Sequence, residues 1–465
     1  MTRPLVVLDI VGLTPAMIGQ HTPHLARLAG RGFACPLGTV LPAVTCSAQS
    51  TLLTGLLPRD HGAVANGWYE RDLAEIHFWK QSNRLVGGER VYQAAGRRET
   101  GYTTAKLFWW YNMYAPVDWS VTPRPSYPAD GRKVLDSYSQ PAELKDRLQA
   151  DLGVFPLMKF WGPTADIAST RWIADATIRI LDWHRPSLTL AYLPHLDYNL
   201  QRLGPDDPAI TSDLAEVDAE AGRVIDVAEE LGADVVVLSE YGITAVDRPV
   251  ALNRVFREAG LLSVRREPLG WESLDAGGSR AFAVADHQVA HVYVNDPDDL
   301  PRVQELLEAT EGVDRVLDRA AQSEVGLDHR RSGELVAVAD PGAWFTYYFW
   351  LDDNLAPDYA RTVDIHRKPG YDPVELFIDP ELTWPAARVA GRLLKKKLGM
   401  RYYMDVIGLD GSIVTGSHGR LPTPGREADE GPVLIGSSTA IARDRVEMTE
   451  VKDLLLELQF GRASG

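Results

Sequence analysis

Cysteine is nearly absent from this chain of 465 residues: Cys35 and Cys46 are the only two. That excludes a disulfide framework. No apolar run reaches the ~18 residues of a membrane span, and no leader-like segment precedes the first strand-like run at Leu5. These absences lead to the expectation of a soluble, cytoplasmic protein with no membrane partner. Basic residues are outnumbered, 48 Lys and Arg against 64 Asp and Glu, for a net charge of −16. Polyanion surfaces are attracted by positive fields, so a nucleic-acid polymer is not an expected partner. A small phosphate ester remains compatible if bound cations supply local positive charge. With 45% hydrophobic residues the chain can bury a large core.

The informative stretch runs from Thr39 to Asn66. A strand-like beginning leads to Thr45, where a helix should start, and Thr54-Gly55, Pro58, His61-Gly62 and Asn66 follow. A hydroxyl at a helix N-terminus sits among free backbone N–H groups that favour an anion. A weak nucleophile beside a phosphate needs that setting, together with a metal to lower its pKa. Upstream, Leu5-Val6-Val7-Leu8-Asp9 reads as a buried parallel strand with Asp9 at its carboxyl end, where open α/β sheets place ligands. Thr22-Pro23 opens a helix that Gly32 stops.

Strands alternate with helical patterns along the chain, which predicts a doubly wound, mostly parallel α/β sheet. Leu188–Leu193 and Asp234–Leu238 are two more buried strands, separated by a helix from about Ile210 to Leu231 whose apolar positions Leu214, Val217, Ala221, Val224 and Ile225 keep helical spacing. Aromatic residues crowd residues 68–165, which reads as an insertion: a cap able to stack a substrate ring, or a segment packing its own aromatics. Residues 253–364 read as a small α/β subdomain, with strands at Gln288–Val294, Val316-Leu317 and Trp344–Trp350 and a helix from about Leu300 to Ala309. The catalytic core is then 1–252 and 365–465. Lys395-Lys396-Lys397 reads as a solvated helix face.

Together, Asp9, Thr45, the T-G-x-x-P-x-x-H-G segment and Asn66 resemble the alkaline phosphatase superfamily, most closely its nucleotide pyrophosphatase/phosphodiesterase (type I phosphodiesterase) branch. The resemblance is specific over the first seventy or so residues. It implies a phosphoesterase with two divalent metal ions, zinc or manganese, with magnesium or iron as alternatives. Thr45 is the implied nucleophile, and Asn66 the implied support of the phosphoryl oxygens. Ligands map to Asp9, Thr45 and Glu240 of Ser239-Glu240-Tyr241-Gly242 for one metal, and to Asp197 and to His418 of Gly416-Ser417-His418-Gly419 for the other. Two positions depart from the pattern: Gln201 and Tyr241 stand where the family has histidine. A phenol does not replace a neutral imidazole, since its pKa is roughly 10. His287 and His366 are the favoured substitutes, while His195 and His291 are also considered. Cys46-Ser47-Ala48-Gln49-Ser50 lacks the Pro and Arg of a sulfatase motif. The expected substrate is a phosphodiester or nucleotide pyrophosphate. The alternatives are a phosphomonoester or phosphonate hydrolase, a phosphotransferase, and a non-catalytic protein with a degenerate metal site. The oligomeric state is left open.

Overall fold

The computed structural model describes residues 2–129 and 133–461. A nine-stranded sheet forms the centre. From edge to edge its strands are Val446–Glu447, Phe33–Gly38, Val433–Gly436, Asp234–Leu238, Leu5–Ile10, Leu188–Leu193, Thr104–Leu107, Trp119–Pro123 and Ser137–Gln140. The five strands from Asp234–Leu238 to Trp119–Pro123 are parallel to one another. Every residue of Leu5–Ile10 and Leu188–Leu193 is buried. Their near-continuous apolar sequence follows from being covered on both faces.

Helices pack in two groups. Ile210–Glu230 meets Ile167–His184 and Pro23–Arg31, while Val451–Phe460 meets Thr45–Thr54 and Val91–Arg98. The stripe Leu214, Val217, Ala221, Val224 and Ile225 is buried as its spacing predicts. Each such side chain contributes about 1.5–3 kcal/mol. Among the described residues no helix is long and apolar enough to cross a membrane.

Part of the aromatic-rich stretch serves the central sheet. Thr104–Leu107, Trp119–Pro123 and Ser137–Gln140 extend it on one side, so these segments belong to the central sheet. The rings pack internally: Phe108 lies against Phe155, Phe160 and Trp172, and Trp119 stacks on His184. Residues 130–132 of that stretch lie outside the described residues. A second, antiparallel sheet of Ala281–Asp286, Val289–Val294, Leu335–Ala339 and Val313–Leu317 lies within 253–364, together with helices Leu300–Glu308 and Arg319–Glu324. Of the expected Trp344–Trp350 strand only Trp344 and Phe345 pair, within strand Ala343–Phe345 against Arg248–Val250. Beyond it the rings of Tyr347, Tyr348, Phe349 and Trp350 are buried against one another and the second sheet. Side-chain packing there replaces the ladder.

Candidate active site

Three adjacent parallel strands deliver carboxylates at their carboxyl ends. Asp9 lies in the first strand, Asp197 follows Leu188–Leu193, and Glu240 follows Asp234–Leu238. All three are buried. Burial raises the pKa of each; Asp197 rises to about 7, and the like charge of Glu240 holds Asp9 up further, while hydrogen bonding to Asp9 and Gln49 works against burial at Glu240. One oxygen of each, Asp9 Oδ1, Asp197 Oδ1 and Glu240 Oε2, has no hydrogen-bond partner. Among the described residues no Lys or Arg neutralises them. Buried carboxylates in this state call for cations or protons.

Thr45 opens helix Thr45–Thr54, and the residue before it, Val44, supplies no side-chain cap. The first-turn N–H groups are therefore left for another acceptor. One is used within the chain: the Cys46 N–H donates to Asn66 Oδ1 at 3.0 Å. Asn66 in turn donates to Asp286 through its backbone N–H (2.7 Å) and its amide (3.1 Å). Burial raises Asp286 to about 7. Thr45 Oγ1 lies 3.2 Å from the Tyr241 hydroxyl. Thr45 and Tyr241 both lower the Glu240 carboxyl's pKa against the larger effect of burial. Burial raises the neighbouring Cys46 thiol, which stays protonated.

Gln49, one turn beyond Thr45, was not singled out by sequence. Its amide nitrogen donates to Asp9 Oδ2 at 3.2 Å and to Glu240 Oε1 at 2.6 Å, and so holds two like charges apart. The only signal for it is its i+4 spacing from Thr45, which puts both on one helix face.

Four rings form a continuous stack: Tyr241, His418, His287 and Tyr371. Their successive centroids are 3.6, 3.6 and 3.7 Å apart. The Tyr371 hydroxyl donates to Gln201 Oε1 at 3.1 Å, so the stack runs from beside Thr45 to the second departure from the family pattern. His418 Nδ1–H donates to the Ala43 carbonyl at 2.8 Å, which leaves a lone pair on Nε2. Burial lowers His418 to about 3 and also lowers His287, so both are neutral imidazoles. His287 occupies the hairpin between Ala281–Asp286 and Val289–Val294 with φ +61°, a position that favours glycine. Its Nδ1 has no hydrogen-bond partner.

Asp9, Thr45, Asn66, Asp197, Glu240, His287 and His418 are thus brought together. His366 is not joined to them by any contact among the described residues. Its Nδ1 lies 3.4 Å from the Phe78 carbonyl, on a loop beside Lys80 and Asp364. His291 bonds the Val64 carbonyl and the Gly333 N–H within the second sheet. His195 points away from Asp197, toward helix Ile210–Glu230.

His61 braces helix Thr45–Thr54: its Nε2–H donates to Thr51 Oγ1 at 3.0 Å while Nδ1 accepts the Ala63 N–H at 3.1 Å. Burial, then the nearby His329, Arg90 and Arg331, lowers its pKa to about 3. The unfolded chain takes up this proton below about pH 6.5, whereas the native state does not. Stability contributed by neutral His61 is therefore present above pH 6.5 and lost as pH falls toward 3. The loss at pH 5 is about 2 kcal/mol. His61→Gln is expected to flatten the pH dependence of the urea midpoint over this window by about one proton. An unchanged slope would contradict the assignment.

Residues 5–372 match the model of the family described as type I phosphodiesterase / nucleotide pyrophosphatase. An uncharacterized pyrophosphatase/phosphodiesterase of Schizosaccharomyces pombe is 26% identical over 262 residues, 54% of this chain, which spans 47% of that relative's length. Among solved structures, phosphonoacetate hydrolase from Sinorhizobium meliloti 1021 superposes with a TM-score of 0.62 at 16% identity, covering 98% of this chain and 96% of that one. Murine ectonucleotide pyrophosphatase / phosphodiesterase 5 gives 0.57 at 15% identity over 100% and 97%. Both share the alkaline phosphatase-like fold. With more than half its length matched, the chain belongs to the type I phosphodiesterase / nucleotide pyrophosphatase family.

Proposed function

We propose that the protein is a divalent-metal-dependent phosphoesterase that cleaves phosphodiester or nucleotide pyrophosphate bonds through a phospho-threonine on Thr45. The observation that carries this reading is Thr45 itself. Its hydroxyl stands at a helix N-terminus whose N-cap residue gives no side-chain cap, against Tyr241 and Glu240, beside carboxylate oxygens that have no partner.

The donor set fits bound cations. Asp9, Glu240 and Thr45 would hold one ion, and Asp197, Gln201, His418 and His287 would hold a second. When bound, such ions supply Lewis-acid charge that neutralises the phosphoryl oxygens. The first set is all oxygen, which suits Mn²⁺ or Mg²⁺ better than Zn²⁺.

The chain's own groups account for the proton movements. Glu240, raised by burial, accepts the Thr45 proton as Oγ1 attacks phosphorus and the P–O bond to the leaving group breaks. The first-turn N–H groups and the Asn66 amide carry the nonbridging oxygens. In the second half, water attacks phosphorus opposite Oγ1 and the P–Oγ1 bond breaks, Glu240 returning its proton to Oγ1 and Asp197, at about 7, suited to take the water's proton. Tyr241, held protonated by burial, orients the hydroxyl. The half-buried Trp79 and Trp161 flank Tyr371 and provide flat apolar faces for a substrate ring.

The family match supports a diester or pyrophosphate substrate over a monoester or phosphonate. Hydrolysis of bis-p-nitrophenyl phosphate by metal-stripped protein, with Mn²⁺, Mg²⁺ or Zn²⁺ restored separately, tests the reading. Turnover should appear with Mn²⁺ or Mg²⁺ and exceed that on p-nitrophenyl phosphate. Gln201 and Tyr241, in place of two imidazoles, favour one second reading, a non-catalytic binding protein. No turnover on diesters, monoesters or phosphonates with any ion would favour it.

A further inference from the structure

Helix His195–Leu203 has two working faces. Asp197 and Gln201, four residues apart, turn toward the central site. His195 and Asn199, also four apart but offset by two, turn the other way, toward helix Ile210–Glu230. There His195 Nε2 lies 3.5 Å from Asp213 Oδ1 and 3.2 Å from Glu216 Oε2. Asp213 and Glu216, three apart, share one face of their helix. Among the described residues this is the one group of three His, Cys, Asp or Glu whose donor atoms all lie within 4.8 Å of one another.

The contacts do not behave as ordinary hydrogen bonds. His195 is only 3% exposed, yet neither ring nitrogen has a hydrogen-bond partner. Asp213 is fixed from behind: its Oδ2 accepts from the Asn199 amide at 2.7 Å, leaving Oδ1 for the cluster. The nearby Arg202 is attracted to Asp213 but makes no ion pair with it among the described residues; its guanidinium donates to the Tyr198 and Ala165 carbonyls at 3.3 and 2.8 Å. Separations of 3.2 and 3.5 Å bracket the ~3.3 Å edge of a tetrahedron whose metal–ligand bonds are about 2.0–2.1 Å long. The Glu216 side chain is 45% exposed, which leaves a route from solvent and room for a water as fourth ligand.

We infer that His195, Asp213 and Glu216 form a Zn²⁺ site separate from the central carboxylates, clamping the helix that carries Asp197 to helix Ile210–Glu230. One imidazole with two carboxylates suits this ion, and Asn199 is a positioning residue for Asp213. The inference does not depend on the catalytic reading, because none of its three ligands belongs to the central cluster.

The test is Zn²⁺ stoichiometry of the full chain by equilibrium dialysis and atomic absorption, with Zn²⁺-dependent thermal unfolding as the second readout. Glu216→Gln, at a half-exposed position, preserves shape and removes a ligand charge. It should lower bound Zn²⁺ by one per chain, or weaken that site by at least about 100-fold, since even outer partners of a metal ligand are worth about 10–100-fold. In an Asp9→Asn/Asp197→Asn background, one Zn²⁺ should remain and raise the unfolding midpoint, and adding Glu216→Gln should abolish both effects. His195→Gln should behave as Glu216→Gln does. Unchanged stoichiometry and midpoint shift in the Glu216→Gln chain would overturn the site, whatever the central variants do. Failure of the catalytic reading would instead show as absent turnover with this Zn²⁺ still bound.

Discussion

Thr45→Ala is expected to lower kcat on bis-p-nitrophenyl phosphate by about 10³-fold or more, the scale on which removal of a covalent nucleophile acts. The change deletes one hydroxyl and one methyl at a buried helix start and leaves Asp9, Glu240 and Gln49 bonded as before. Tyr241 loses its neighbour at 3.2 Å, which costs about 1 kcal/mol of stability. The fold and most of the bound metal should survive, so circular dichroism and metal content separate lost chemistry from lost structure. Thr45→Ser keeps the hydroxyl and should recover much of the rate. A Thr45→Ala rate within tenfold of the parent would remove the phospho-threonine step from the mechanism.

The second large effect concerns stability. Lys368 is buried with its ammonium 2.7 Å from both Asp372 Oδ2 and Glu375 Oε1. Glu375 is tied further: the Asp364 N–H donates to Oε1 at 2.8 Å and the Trp161 indole N–H to Oε2 at 2.6 Å. This network holds the Lys368–Phe377 loop that presents Tyr371 to the ring stack. Lys368→Met would leave two buried carboxylates without a cation and should destabilise the protein by about 3–5 kcal/mol. The measure is the urea midpoint at unchanged m-value. Burial already raises Asp372 above its ordinary range and Lys368 opposes that; without the cation its native pKa rises further above the unfolded value, so the native state binds more protons. Part of the loss should then return as pH falls toward 5. A destabilisation below about 1 kcal/mol, well under the buried-pair range, would mean that water or another group already screens the pair.

What could be read in the sequence follows a physical division. Asp9, Thr45, Asn66, Asp197 and Glu240 lie at or just after strand ends or a helix start, where turn residues and apolar runs mark the boundary. His418 is framed by glycines in the same way. The core stripe of helix Ile210–Glu230 has a period, and it was legible for that reason. Gln49 has no such frame: its role is set by two carboxylates from distant strands. A lone histidine carries no periodic signal, so His287 and His366 looked alike, yet only His287 enters the ring stack. The aromatic crowding of residues 68–165 recorded burial but not location, and three of its segments are strands of the central sheet.

The ring stack has a consequence for the order in which the molecule assembles. Its members stand at positions 241, 287, 371 and 418, and each is delivered by a different segment. Three such contacts close loops of tens to well over a hundred residues, and long loop closures are slow. The parallel sheet can begin to form once its early strands exist, whereas the stack must wait for His418 to leave the ribosome. During synthesis, then, a partly made chain would hold Thr45 beside a folded sheet but lack the finished ring stack.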